Sequence, residues 1–593
     1  MLRDSDLVSL QEVRVKVEKA WTAFQTYRRF DQQQADRVVE AMAAAGRANA
    51  KLLAEMAVEE TKYGNVKDKI AKNLLNADLL AKAIRGIKTL GVLRELPEQK
   101  LIEVGVPVGV VAAILPTTNP TSTVIYKSLI CLKAGNAIVI SPHPRAAKCT
   151  NYAAELLHRA AVEAGAPEGI IQCIENPTME STHALMKHER VALILSTGGH
   201  GIVKAAYSSG KPAFGVGPGN VPVYLERSAD VAESVAKVVE GKAFDYGTVC
   251  SSEQALVAEA PLKDAVLAEL KRRKAYICDG AQARALEKLL LKENYRINPE
   301  CVGQSPVRIA QMAGFSVPAD TSILAVEIGG VGKAHPLSVE KLSPVLALLF
   351  VKDHPAALDA CEALLRFGGL GHTAVIHSKD EGRIREFGMR MPAFRVLINA
   401  ASPGGSTGMT TNIMPSMTLG CGAMAGNITS DNVGPQHLIN IKRLAWMVRT
   451  ADDALTIPAE FKVATPEPAL AARVSNGVPS DVVANVVDRF LAAKRSNGAP
   501  APAALAPECP CAQRPAAGSG CGCGPQVQQA AQPQAQPAPP APAVVISDFV
   551  CENDVRTAIQ KGRKIFTGPK TIVTPAARDL GEQHGVLVAA ERA

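Results

Sequence analysis

Phe244-Asp245-Tyr246-Gly247-Thr248-Val249-Cys250-Ser251-Ser252-Glu253-Gln254 is the stretch on which the reading of this chain turns. A helix-patterned run, Ala229 to Lys242, precedes it, and a short strand-patterned run, Gln254 to Val257, follows. A strand-rich α/β enzyme presents a nucleophile from such a turn. Free cysteine is most often a small buried hydrophobe, and twelve others are available in the chain. Cys250 therefore gains meaning only from the residues that accompany it elsewhere.

Upstream, residues 7 to 90 carry helical spacing. Val13, Val17, Ala20 and Trp21 share one face, and Val38, Met42, Ala45, Leu52, Leu53 and Met56 continue the pattern, with Gly64 and Gly91 as breaks. The pattern then changes to strands alternating with helices. Ile102 to Leu115 reads as a buried strand, Pro116 to Pro120 as a loop, and Thr121 or Ser122 as the cap of a helix running to Lys133 and closed by Gly135. Ala137 to Ser141, Ile170 to Ile174 and Val191 to Leu195 follow as strands, with helices at Ala146 to Glu163 and near Ser181 to Lys187. Such alternation implies right-handed parallel crossovers and a doubly wound sheet, and ligands bind beyond the carboxyl ends of its strands. The loops Pro116 to Pro120, Ser141 to Pro144 and Thr197 to Gly201 lie at such ends.

Thr197-Gly198-Gly199-His200-Gly201 and Gly215-Val216-Gly217-Pro218-Gly219-Asn220 offer bare backbone N–H groups of the kind that cradle a pyrophosphate. Neither is a full G-x-G-x-x-G, so a plain tight turn is the competing reading of each. Downstream, Ala255 to Ala258, Ala275 to Cys278, Ile323 to Glu327, Val345 to Val351 and Thr373 to His377 mark the strands of a second α/β unit reaching about Gly420.

Composition narrows the function classes. At 593 residues, with 47% hydrophobic and 21% charged residues, the chain is expected to form several units with large cores. Net charge is +8, and the one basic cluster, Lys271 to Lys274, reads as a solvated helix end. With 4% aromatics, a nucleic-acid partner is not expected. The charged start Met1 to Asp6 is unlike a secretory signal, and Val104 to Leu115 is too short an apolar run to span a bilayer. Thirteen scattered cysteines suggest reduced thiols in a cytoplasmic setting.

Pro116 to Thr123, Ser141 to Ala146, Lys204 to Pro212, the Cys250 stretch, Glu340 to Val345, Gly371-His372-Thr373 and Val433 to Arg443 together resemble the CoA-acylating branch of the aldehyde dehydrogenase superfamily. The resemblance runs in unbroken order over residues 7 to 445 and extends to the aldehyde half of bifunctional aldehyde–alcohol dehydrogenases, with no counterpart read for their iron-dependent alcohol half. It implies two doubly wound α/β domains, a Rossmann-like cofactor domain and a catalytic domain. Residues 1–221 would hold the helical N-terminus and cofactor domain, 222–425 the catalytic thiol domain, and 426–455 a segment returning to the cofactor and oligomerisation region.

The resemblance also implies roles. Cys250 would attack the aldehyde carbonyl, and Asn119 with the Cys250 backbone N–H would form the oxyanion hole. Glu340 falls where the family places a carboxylate on the nicotinamide-side ribose. Thr117, Thr118, Ser141, Pro142, His143, Gly198, Gly199, Gly217 and Gly219 would line NAD, with NADP not excluded by the Ser141-Pro142-His143 loop. Hydrolytic members carry a general-base glutamate in a Glu-Leu-Gly-Gly-Lys segment. The matching segment here is Val216-Gly217-Pro218-Gly219-Asn220, without a carboxylate. Water attack on the acyl-thioester should then be slow, leaving the acyl group to coenzyme A. His372 is a candidate base for that thiol, with a structural histidine in a Gly-His-Thr turn as the other reading. No metal site is expected, and the resemblance implies a homo-dimer or tetramer.

Beyond Trp446 the resemblance fades. Residues 456–497 contain Pro479 to Leu491, a serine-capped amphipathic helix, read either as docked on its own enzyme or as an address peptide. Residues 498–545 are a Pro/Ala/Gln-rich disordered linker, in which Cys509-Pro510-Cys511 and Cys521-Gly522-Cys523 read as adventitious thiols. Residues 546–593 form a small helical segment, with helices at Asp548 to Gln560 and after Thr574-Pro575 up to Gly585. Its six acidic and seven basic residues do not make a membrane anchor. It resembles terminal extensions of bacterial microcompartment proteins, which implies shell or cargo partners for the helices near 480–494 and 548–590. Two other readings stay open: a hydrolytic dehydrogenase releasing free acid, and an inactive scaffold recruiting partners through its tail.

Overall fold

The structure is a computed structural model that describes residues 5–456, 458, 480–495 and 546–589. It divides between residues 463 and 464 into two units.

The first unit opens with helices Ser5–Tyr27, Gln32–Ala48, Ala50–Thr61 and a run from Val66 to Ile84 that includes a π-helical turn, Leu75–Leu80. Val13, Val17, Ala20, Val38, Met42 and Leu53 are buried as their spacing requires, whereas Leu52 turns outward. Gly64 and Gly91 break the helices in left-handed conformations.

Five parallel strands form the first sheet, in the order Ile171–Cys173, Ala137–Ser141, Val110–Ile114, Val191–Thr197, Ala213–Val216. Numbered along the chain this is 3-2-1-4-5, so strand order reverses between Val110–Ile114 and Val191–Thr197, where a doubly wound sheet leaves its binding crevice. The apolar run Ile102 to Leu115 is two strands rather than one. Leu101–Pro107 belongs to an antiparallel sheet with Gly91–Leu96 and Ile439–Ala445, and Gly109 at φ +139° lets the chain swing into Val110–Ile114. The helix after the Pro116 loop is Pro120–Lys133, so Asn119, not Thr121 or Ser122, occupies its cap position. Gly135 closes it at φ +76°.

The second sheet has seven parallel strands: Tyr276–Cys278, Leu324–Glu327, Val345–Val351, Glu253–Glu259, Val221–Leu225, Gly371–His377 and Ala393–Ile398. The strands predicted here are present, and Val221–Leu225 and Ala393–Ile398 join them. The returning segment is tied to the first sheet's layer by hydrogen bonds from the Tyr126 hydroxyl to the Val433 carbonyl at 2.7 Å and from Asn136 Nδ2 to the Leu438 carbonyl at 2.8 Å.

In the second unit, Ser480–Arg495 is helical, with Val482, Val486 and Val487 exposed. The terminal segment is not purely helical. Ile546–Val550, Ile565–Val573 and Leu587–Ala589 form a parallel three-stranded sheet, and helices Glu552–Gln560 and Pro575–Gln583 alternate with them over a small core of Val550, Val555, Ala558, Ala577 and Val586. The helix expected from Asp548 starts only at Glu552, because the preceding residues pair as a strand. Thr574 caps the last helix through the Ala577 N–H, with Pro575 in its first turn. The linker and its Cys-x-Cys pairs lie outside the described residues. Among the described residues no helix is long and apolar enough to cross a membrane, and none of their His, Cys, Asp and Glu side chains cluster as a metal site.

Candidate active site

Helix Val231–Ala243 ends just before the decisive stretch. Asp245, Tyr246 and Gly247 then take left-handed conformations at φ 46°, 53° and 72°. Two of the three carry side chains, which makes this a strained reversal of the kind that clusters at functional sites. At Gly247 a Cβ would lie 2.7 Å from the Ser343 carbonyl. The reversal is fixed from outside: the Asp245 N–H donates to Asp68 Oδ2 at 2.7 Å, and Asp245 Oδ1 accepts from the Asn65 N–H at 2.8 Å. Asp245 Oδ2 accepts from Lys69 at 3.0 Å, from Thr248 Oγ1 at 2.6 Å and from Lys72. Cys250 emerges from this turn half-buried, three residues before the strand Glu253–Glu259.

Cys250 lines a cavity of about 770 Å³, and so does Asn119. Lys72 Nζ donates to Asn119 Oδ1 at 2.6 Å and to Thr248 Oγ1 at 2.9 Å, while Asn119 Nδ2 donates to Thr118 Oγ1 at 3.0 Å. Burial pushes the Lys72 ammonium down to about 8 against the pull of Asp245.

The other wall of the cavity is the crevice of the first sheet. Thr117 and Thr118 come from beyond Ile114, Pro142 and His143 from beyond Ser141, and Gly198 and Gly199 from beyond Thr197, with Gly217 completing it. Gly199 caps helix His200–Tyr207 without a side-chain bond, and a Cβ at Gly199, Gly201 or Gly217 would meet nothing. The buried Thr197 hydroxyl has no partner in the protein. Uncapped N–H groups, open glycine surface and a waiting hydroxyl at a helix start fit a pyrophosphate, so the residues present suit a dinucleotide. Ser141 stands apart from this wall: it is buried and its hydroxyl is engaged with Thr182 Oγ1 at 2.9 Å.

Glu340, Cys250, Gly219 and His372 come from the amino ends of four consecutive strands of the second sheet. The thiol side of the site is thus an amino-terminal strand edge, and the cofactor side is a carboxyl-terminal one. Glu340 lines the cavity, is the one carboxylate among the described residues that does so, and accepts from the Gly219 N–H at 3.2 Å. Gly219 sits behind the wall, where a Cβ would lie 2.3 Å from the Cys250 carbonyl and 3.0 Å from the His372 ring. His372 is fully buried, with Nδ1 on Thr373 Oγ1 at 2.9 Å and Nε2 unpartnered. Burial pushes its pKa down to about 3, so it is a neutral imidazole packed behind the thiol turn rather than on the cavity surface. Asn220, the last residue of the segment that lacks a carboxylate, turns away to donate to the Ser338 and Leu364 carbonyls.

Burial pushes the Cys250 thiol up to about 12; the Glu340 carboxylate adds to the rise, while Arg395 and Lys72 oppose it. Alkylation of Cys250 by iodoacetamide is therefore expected to be more than roughly tenfold slower at pH 8 than for a free cysteine of pKa ~8.5, with a rate still climbing at pH 10. Burial holds Glu340 at about 7, so it is charged at pH 8, and Glu340→Gln should speed the alkylation. Peptide mass spectrometry reads both; a plateau below pH 9, or no change in the variant, would contradict this electrostatic picture.

The sequence profile of the aldehyde dehydrogenase family matches residues 5–284. The chain is 50% identical to an acetylating aldehyde dehydrogenase from Geobacillus thermoglucosidasius whose structure is known, over 76% of this chain and 99% of that one, with a TM-score of 0.75. It belongs to the aldehyde dehydrogenase family. A propionaldehyde dehydrogenase from the Clostridium phytofermentans fucose utilisation bacterial microcompartment matches at 28% identity and a TM-score of 0.66, over 73% of this chain and 97% of that one. The bifunctional aldehyde-alcohol dehydrogenase of Escherichia coli is 43% identical over 445 residues, 74% of this chain and 50% of that protein. The chain thus spans about half the length of the curated relatives it matches first.

Proposed function

We propose that the chain oxidises a short aldehyde of the propanal or acetaldehyde class to its acyl-CoA, reversibly, with a nicotinamide cofactor and coenzyme A. The observation that carries this is the composition of the cavity wall: a thiol and an amide face it together, and its one carboxylate among the described residues is Glu340, held by the Gly219 N–H. Cys250 Sγ adds to the aldehyde carbon as its proton passes to solvent. The oxyanion forms between the Asn119 amide and the Cys250 N–H. Collapse of this thiohemiacetal leaves an acyl-thioester on Cys250; a nicotinamide held in the crevice would supply the hydride acceptor that this oxidation requires. With no carboxylate in the Val216 to Asn220 segment to activate water, the CoA sulfur takes the acyl group, and the proton of the CoA thiol passes to Cys250 Sγ as the bond from Cys250 to the acyl carbon breaks. Thr117, Thr118, His143, Gly198, Gly199 and Gly217 would hold the dinucleotide, NAD in the reading made from the sequence. The word acetylating in the name of the Geobacillus enzyme supports the CoA step. The resemblance of the terminal segment, and the origin of the Clostridium enzyme, support a place inside a bacterial microcompartment, reached through the helices near 480–494 and 548–590, with the catalytic units as homo-oligomers.

The test is NADH formation from propanal with and without CoA, with the product identified. CoA-dependent turnover giving propanoyl-CoA is expected. Equal turnover without CoA, giving propanoate, would make the enzyme hydrolytic, and no turnover by folded protein with any short aldehyde and either nucleotide would leave the scaffold reading.

A further inference from the structure

We propose that Lys72 is the positioning residue of the oxyanion hole, one ammonium group that orients both of its donors. This rests on the reading of Asn119 and the Cys250 N–H as those donors. Lys72 lies on helix Val66–Leu74, far from Cys250 in sequence, and its side chain is 3% exposed. An ammonium has three N–H donors and no acceptor. All three are matched to oxygens: Asn119 Oδ1 at 2.6 Å, Thr248 Oγ1 at 2.9 Å and Asp245 Oδ2.

Each contact has a consequence at the reacting carbonyl. Because Lys72 can face only an acceptor, it fixes which end of the Asn119 amide points toward it. Oδ1 is taken up, and Nδ2, which gives one N–H to Thr118 Oγ1, is the end whose other N–H can serve the cavity. Lys72 also fixes the Thr248 rotor: its hydroxyl accepts from Lys72 and must donate to Asp245 Oδ2, as it does at 2.6 Å. Thr248 and Asp245 frame the turn that aims the Cys250 N–H, two residues beyond Thr248. The amide and the backbone donor come from loops of different sheets; Lys69 also spans the two, from the Thr118 carbonyl to Asp245, but Lys72 is the one of the pair that bonds the Asn119 side chain itself. A planar guanidinium would not reproduce three divergent contacts.

The test is a double-mutant cycle in the full chain, with Lys72→Met, Asn119→Ala and the pair, read as kcat and KM for propanal and CoA, alongside the crystal structure of Lys72→Met. Loss of one oxyanion donor costs roughly 10²–10³ in turnover. Lys72→Met is expected to lose roughly tenfold or more of kcat, with KM values within about threefold, and the pair should lose far less than the product of the singles. In the crystal the Asn119 amide should be turned or split between orientations. Lys72→Gln, which keeps a donor without the charge, serves if Lys72→Met does not fold, and should retain more turnover. Multiplicative losses, or an Asn119 amide unmoved without Lys72, would overturn the proposal. If wild-type enzyme made no acyl-CoA, the reaction assigned above would fall, while the amide orientation would still decide the role of Lys72.

Discussion

Cys250→Ala is expected to abolish acyl-CoA formation, a loss of roughly 10⁴-fold or more. Among the described residues of the first unit, no other thiol lines the cavity. Cys131, Cys149, Cys173, Cys278, Cys301, Cys361 and Cys421 are buried, and burial pushes their thiols up. Cys421 belongs to the same small apolar cluster as Val216 and Leu419, against which Cys250 packs, yet it does not line the cavity. Cys250→Ser should be nearly as inactive, because an alkoxide forms far less readily than a thiolate and departs less readily from the acyl carbon. The half-reaction gives a second reading: wild-type enzyme incubated with propanoyl-CoA alone should gain one propanoyl group at Cys250, and neither variant should. Retention of more than a few per cent of turnover by Cys250→Ala would remove the covalent mechanism altogether.

Much of this site was legible in the sequence, for a physical reason. Alternating strands and helices force parallel crossovers, and parallel crossovers force the Pro116, Ser141 and Thr197 loops onto one edge. Those loops could be placed without knowing the fold in detail. Three strands were hidden by their own residues. Val221–Leu225 contains Pro222, Ala393–Ile398 contains Arg395, and Ala213–Val216 contains Gly215, which made it look like part of a glycine loop. The Lys69–Lys72–Asp245 cluster was not legible at all. Its carboxylate lies more than 170 residues from its lysines, and charged side chains are exposed by default. A spacing of three along a helix shows that Lys69 and Lys72 share a face; nothing local shows that the face is buried against a carboxylate. The position of His372 behind the wall was equally hidden, since a turn sequence does not reveal which side of a sheet edge a ring will occupy.

That cluster carries the second large effect. Asp245→Ala is expected to cost roughly 3–5 kcal/mol of stability, the range for breaking a buried ion pair from one side. Asp245 is fully buried, and its removal leaves Lys69 and Lys72 inside the protein without the carboxylate that pairs with both. Burial alone would raise the Asp245 carboxyl, but the Lys72 and Lys69 ammonium groups override it and hold the carboxyl below the usual range. A carboxylate whose folded pKa lies below its unfolded value, about 3.9, contributes stability that is fully present above that value. The contribution is lost as pH falls through the lower, folded one. As far as Asp245 itself is concerned, the difference in urea midpoint between wild type and Asp245→Ala should therefore shrink below about pH 4. Turnover should fall with stability, by a connected route. Residue 245 sits at φ 46°, and alanine would keep that strain while losing the side-chain contacts to Asn65, Lys69, Lys72 and Thr248. Only backbone bonds such as the N–H to Asp68 would be left to hold it. The turn would relax toward ordinary backbone conformations, and Cys250, five residues on, would move with it. A variant as stable as wild type would show that the two lysines find other partners. One that is destabilised yet turns over normally when folded would show that the turn is held without Asp245.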